Sequence, residues 1–258
     1  MKETFLLFRR DLKQILNKRF LLVLLFMVLF QSWFIIGSGY KDKAGQNFEF
    51  SYMGFTFAFL ILGSLASLSL NFDAISKERQ NKVMDLLLTS SLNKMQIATG
   101  KLMASLASSL IFSLFYNLSV TLIYCLFGTG GAVIAVAFHN VLPVAAMIFI
   151  YSLIGLFLSV LFRSSRTAFI VSMACGLILM PRIFEMFVNG ICKGLKLGDT
   201  TSNLIMYVSP AMIMSGLTGY NGTANLLTGI AAFLIYSVAL TVLFFTVFRN
   251  QDEMSYNE

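Results

Sequence analysis

The chain has 258 residues, of which 57% are hydrophobic and only 12% charged, with a net charge of +7. Soluble domains carry about 25% charged residues, so half that share, with the apolar residues gathered in long blocks, excludes a single soluble core. The positive residues flank those blocks, which fits orientation in a membrane better than nucleic-acid binding. Three scattered cysteines (Cys125, Cys175, Cys192) give no disulfide framework, and a lone His139 with no His/Cys cluster argues against a metal site.

Residues 1–19 come first. Phe5, Phe8, Leu12, Ile15 and Leu16 recur at helical spacing, with Arg9, Arg10 and Lys13 off that stripe. This pattern predicts an amphipathic helix lying in the headgroup layer; a cytoplasmic helix packed on another part of the chain is the alternative. Six apolar blocks then follow, at 20–38, 50–72, 102–127, 141–162, 167–188 and 226–248. Each can cross roughly 30 Å of hydrocarbon as a helix, and backbone inside lipid must satisfy its own hydrogen bonds. The first block is longer than the apolar core of a signal peptide and no clear cleavage site follows it, so it reads as a span. The predicted fold is therefore a single all-α transmembrane domain over 1–258 with six transmembrane helices.

Lys and Arg set the orientation. Fourteen fall in the N-terminal segment, 73–101, the short link after the fourth block and the residue after the sixth, whereas four fall on the opposite side. The excess places both termini in the cytoplasm. On the outer side, His139 is expected in a turn before the fourth span. The outer segment 189–225 carries two short apolar runs separated by Pro210. These are read as short re-entrant helices before the sixth span, with an ordered outer loop as the alternative.

Within the spans, Gly63, Ser67 and Asn71 repeat every four residues, a spacing that lets helices approach closely. Arg182 and Glu185 are the only charges inside a block and follow Pro181. About 22 Å of helix separates Thr167 from Pro181, so the pair belongs near the outer leaflet, as a gate or as a structural ion pair.

The cytoplasmic segment 73–101 reads DAISKERQNKVMDLLLTSSLNKMQIATGK. Its first half is helical, with Ile75, Val83, Leu86 and Leu87 as an apolar face. Thr89, Ser90 and Ser91 suit a break, after which Asn93 caps a new helix and Gln96 reaches back to it. The helix then runs through Gly100 and Lys101 into the third span. No P-loop is present. Gly100-Lys101 is the nearest approach, but Met95 stands where the first glycine belongs. The chain is therefore not expected to hydrolyse ATP itself, and no catalytic residue or bound cofactor is assigned to it.

The residue order of this segment resembles the signature of ABC type-2 exporter permeases, I-x-x-E-R-E-x-G-T-x-E-x-L-L-x-x-P-V/I-S-x-x-E/Q-I-x-x-G-K. The match falls at Ile75, Glu78, Arg79, Leu87, Leu88, Gln96, Ile97, Gly100 and Lys101, with Asp85 at an acidic place. Gln80, Lys82, Val83, Ser91 and Asn93 depart from it; Lys82 stands where glycine is usual. The resemblance implies a permease subunit that pairs with a second copy or paralogue as a dimer in the inner (cytoplasmic) membrane. It also implies a cytoplasmic ATPase partner that carries ATP and Mg. Glu78, Arg79, Asp85, Asn93, Gln96 and Lys101 are then the candidate coupling residues. Three other classes are weighed against this reading. An intramembrane enzyme lacks a catalytic set within the spans, and an ion-coupled secondary transporter lacks well-placed intramembrane acids. A non-transporting structural or immunity protein stays open.

Overall fold

The computed structural model describes residues 2–37, 48–89, 92–126, 131–196, 198, 205, 210–218 and 226–255. The described chain is helical: α1 (Lys2–Ile15), α2 (Lys18–Gly37), α3 (Phe48–Asn71), α4 (Ser76–Gln80), α5 (Val83–Thr89), α6 (Lys94–Leu126), α7 (Gly131–Leu161), α8 (Ser165–Ile178), α9 (Pro181–Gly194), α10 (Pro210–Leu217) and α11 (Leu226–Ser255). By length and composition, α2, α3, α6, α7 and α11 can each cross a bilayer.

The fifth apolar block is not one helix. The ladder of α8 ends where Leu179 N donates to Cys175 O, and Pro181 opens α9. Proline has no N–H to continue the ladder and pushes the residue before it out of the helical region; Met180 sits at φ −58°, ψ 127°. Two 14-residue helices result, each about 21 Å long. A second difference concerns His139. The helix expected to begin at Val141 begins at Gly131, so His139 lies within α7 rather than in a turn, and Pro143 is inside the helix. Membrane helices tolerate such a proline because neighbours re-satisfy the local backbone.

Helix α7 is the centre of the bundle, with 78% of its apolar window buried, against 6% for α11 at the periphery. Because lipid is as apolar as leucine, contact between these helices rests on close packing and interhelical hydrogen bonds. Glycine supplies the close approach. A Cβ at Gly155 would stand 3.3 Å from Leu68 O, and one at Gly176 would stand 2.9 Å from Leu65 Cδ2. The face read as Gly63, Ser67 and Asn71 is turned inward: Gly63 meets Met147 of α7 and Phe59, and Asn71 Nδ2 donates to Ser105 Oγ of α6 at 3.2 Å. Deeper in the bundle, Gln31 Oε1 accepts from Ala58 N at 2.8 Å, and the Tyr116 hydroxyl lies 3.1 Å from Gln31 Oε1 and 3.0 Å from Phe55 O.

The segment after α3 folds back under the bundle at what we term the proximal end, the end that carries α1, α4 and α5. Its first half is two helices rather than one. The chain turns at Asn81 and Lys82, and Lys82 has φ 57°, in the left-handed region that favours glycine. The start of α6 follows the expected capping: Gln96 Oε1 accepts from Asn93 N at 2.9 Å, one half of a capping box.

Helix α1 packs on α6 along one side. Leu7 and Asp11, one turn apart, are its buried residues, each 4% exposed, while Phe5 and Leu6 are 62% and 56% exposed. The Leu7 side chain rests on Gly100 of α6, where an added Cβ would meet Leu7 Cδ2 at 2.9 Å.

Candidate functional site

Four ionised side chains from three helices meet beneath the bundle. Arg10 and Asp11 come from α1, Glu78 from α4 and Lys101 from the first third of α6. Arg10 Nη2 donates to Asp11 Oδ1 at 2.7 Å and to Glu78 Oε1 at 2.6 Å. Lys101 Nζ stands 2.7 Å from Glu78 Oε2 and 3.4 Å from Asp11 Oδ2, and it donates to Ala74 O at 3.0 Å. Two cations and two anions cancel, which is what burial of charge requires. Glu78 and Lys101 are each 3% exposed. They join residues 68 positions apart in sequence on one side and the base of a transmembrane helix on the other.

Helix α4 is also pinned to α7. Ser159 Oγ accepts from the backbone N–H groups of Ile75 and Ser76 at 2.8 and 3.0 Å. These N–H groups open α4 and have no acceptor within it, so a side chain of another helix caps them. One turn on, Arg79 Nη1 donates to Val160 O at 2.7 Å, near the C-terminal end of α7, where a cation complements the helix dipole. A second pair lies beside the cluster. Arg19 donates to both Asp73 carboxylate oxygens at 3.0 Å, the fork geometry favoured by arginine, and its guanidinium carbon lies 4.8 Å from the Phe72 ring centroid.

Of the residues singled out by sequence, the structure brings Glu78, Arg79 and Lys101 into one locked assembly. Asn93 and Gln96 cap α6 just beyond it. Asp85, Arg182 and Glu185 lie on α5 and α9, and their side chains fall outside the described residues. Glu78 and Lys101 face the interior, so their partners belong to this chain. What α4, α5 and the turn between them present outward is instead Lys77, Gln80, Lys82 and Leu86, all exposed, with Leu86 at 71%. Sequence reasoning missed Arg10, Asp11, Arg19, Asp73 and Ser159. Asp11 had a visible signal: an acid among Arg9, Arg10 and Lys13, one turn from Leu7 on the same face. Ser159 had none, because a serine in an apolar helix is common.

These contacts tie the short helix α4 to α1 and to the ends of α6 and α7, two helices long and apolar enough to cross a membrane. An all-helical bundle with several spans and a surface segment fastened to its base defines a multi-pass membrane protein. The sequence profile described as ABC-2 family transporter protein matches residues 5–253. The chain belongs to that family of transporter permeases, whose members are membrane transport subunits and are not themselves catalytic. No curated protein matched the sequence.

Proposed function

We propose that this chain is the membrane-spanning permease subunit of an ABC exporter, which moves a substrate outward from the cytoplasm or inner leaflet. In this reading a separate cytoplasmic ATPase hydrolyses ATP with Mg, and the permease works as a pair with a second copy or a paralogue. The proximal end and both termini then face the cytoplasm of a cell whose inner membrane holds the protein. The observation that carries the reading is the buried tie of Glu78 to Arg10 and Lys101. A push on α4 reaches α1 and α6 through that tie, and reaches α7 through Ser159 and Arg79.

A flexible surface loop would absorb such a push, whereas a helix held by interior ion pairs and two buried backbone hydrogen bonds transmits it. The outward residues Lys77, Lys82 and Leu86 form the face offered to the ATPase. The half-exposed and exposed apolar residues of α1, including Phe5 and Leu6, fit a helix resting in lipid headgroups. Arg182 and Glu185, at the opening of α9, are assigned to the outer gate on their place in the chain alone.

The test is co-purification from mild detergent with a soluble P-loop protein co-expressed from the same cells. Leu86→Glu is expected to abolish co-purification while the permease remains monodisperse. If no ATPase accompanies the wild type under conditions that preserve other ABC complexes, the exporter reading fails, and an ion-coupled secondary transporter or a non-transporting structural or immunity protein takes its place.

A further inference from the structure

Beside the ion cluster lies a small cleft of about 40 Å³ lined by Asp11, Asn71, Asp73, Arg19, Lys101 and Ala104, among others. A water molecule needs about 10–15 Å³ of such volume and two to four polar partners, so the cleft has room for about three.

Its lining is rich in unfilled acceptors. Asn71 is fully buried, and its Oδ1 has no hydrogen-bond partner among the described residues, nor does Asp11 Oδ2. The ammonium of Lys101 lies 3.4 Å from Asp11 Oδ2 outside hydrogen-bond geometry. The charges around the cleft are Asp11, Asp73, Arg19, Lys77 and Lys101. Lys77 is exposed to solvent, and the remaining four balance. A neutral lining with spare acceptors suits water rather than a bound ion.

The same polar character continues inward along the meeting line of α3, α6 and α7. Helices α3 and α7 run in the same direction there, with Gly155 against Leu68 and Phe72, and α6 runs opposite, with Ser105 against Asn71. One turn deeper than Asn71 and Gly155 stand Ser67 and Ser152, 1% and 0% exposed. Their hydroxyls also lack partners among the described residues. Ser108 and Ser109 of α6 both donate to Ser105 O, at 2.9 and 2.8 Å.

We infer that the cleft is a hydrated vestibule. It holds about three ordered waters anchored on Asn71 and Asp11, and it is the solvent-side mouth of a polar seam inside one subunit. The waters offset part of the desolvation cost of the neighbouring ion cluster. They also give α1 and α6 hydrogen-bonding partners to exchange when the joint moves. This inference stands on the cavity and its lining, and does not depend on the exporter reading.

The test is hydroxyl-radical footprinting by X-ray radiolysis of water, applied to the purified full-length protein. Radicals formed from bound water oxidise the side chains beside it. Leu70 and Leu156 line the cleft and are 5% and 1% exposed, whereas Leu68 and Leu153 are 0% exposed and lie away from it. The expected result is several-fold more oxidation at Leu70 and Leu156 than at Leu68 and Leu153, and loss of that excess in Asn71→Leu. Equal, background labelling of all four leucines in the wild type overturns the vestibule, whether or not the variant folds. Strong labelling of Leu70 and Leu156 that persists unchanged in Asn71→Leu overturns the role of Asn71 as anchor.

Discussion

Lys101 Nζ and Glu78 Oε2 are 2.7 Å apart, with both side chains almost fully buried at 3% and 4% exposure, and the contact fastens a surface helix to the foot of a transmembrane one. Removing one partner of such a pair leaves the other as an uncompensated buried charge, at a cost of about 3–5 kcal/mol. Glu78→Gln and Lys101→Met are each expected to destabilise by that order. The double variant is expected to lose clearly less than the sum, because neither charge is stranded. Denaturant unfolding in detergent, run as a double-mutant cycle, decides it; additive losses would show that the two residues act independently.

Ser159 is the second anchor of the same helix. Its hydroxyl accepts two backbone N–H groups, from Ile75 and Ser76, which are both fully buried residues. Ser159→Ala leaves these donors without that acceptor in a place water does not reach, and each stranded group costs about 1–3 kcal/mol. The expected signature is local. Amide exchange at Ile75 and Ser76 should accelerate, while exchange at Tyr116 in the middle of α6 stays slow. Unchanged protection at both amides would mean another acceptor takes over.

Lys82 shows where the sequence could be read and where it could not. The family pattern has glycine at this place, and the structure supplies the reason, since Lys82 occupies φ 57°. A non-glycine residue there is strained by about 1–2 kcal/mol. Lys82→Gly is therefore expected to raise stability by about 1 kcal/mol, less the entropy glycine adds to the unfolded chain. A lower unfolding midpoint for the variant would mean that the lysine side chain makes a contact worth more than the strain.

The spans were legible because about 20 apolar residues in a row have few other uses, and the cap of α6 because Asn93 and Gln96 carry a local signature. The break at Pro181 was also written in the chain, but a continuous apolar block hides a proline unless its effect on Met180 is weighed. The ion cluster was not legible. Glu78 meets Arg10 across 68 residues, and nothing local in either segment encodes which acid will find which base. The inward side of α1 was hidden for a related reason: periodicity ranks apolar residues, so a buried Asp11 counts against the face it anchors.

Tyr116 tests how much a hydrogen bond counts within the apolar interior. Its hydroxyl lies within 3.1 Å of Gln31 Oε1 and 3.0 Å of Phe55 O, linking α6 to α2 and α3. Interhelical hydrogen bonds in membrane proteins average about 0.6 kcal/mol and reach about 1.7. Tyr116→Phe is expected to fall inside that range, because Gln31 Oε1 keeps the amide of Ala58 as a donor. Gln31→Leu is expected to cost more, since it removes the acceptor shared by Ala58 N and the tyrosine hydroxyl and leaves the hydroxyl Phe55 O alone. Equal losses in the two variants, measured by unfolding in detergent, would place the tyrosine rather than the glutamine at the centre of the link.

Gly229 and Gly190 make the opposite cases for close packing. A Cβ on Gly229 of α11 would stand 2.8 Å from both Gly216 C and Leu217 N of α10, while one on Gly190 of α9 would meet nothing within 4 Å. Backbone atoms cannot rotate aside as a side chain can, so Gly229→Ala must part α10 from α11. Overpacking of this kind costs about 1–3 kcal/mol, against the gain of about 1 kcal/mol that alanine brings to any helix interior. Gly190→Ala receives the gain without the clash. The expected order of thermal midpoints is therefore Gly190→Ala at or above wild type, and Gly229→Ala below it. Because α11 is the least buried of the long helices, the loss at Gly229 should also appear as faster proteolysis between α10 and α11. A Gly229→Ala protein as stable and as resistant as the Gly190→Ala protein would show that α10 and α11 are free to separate.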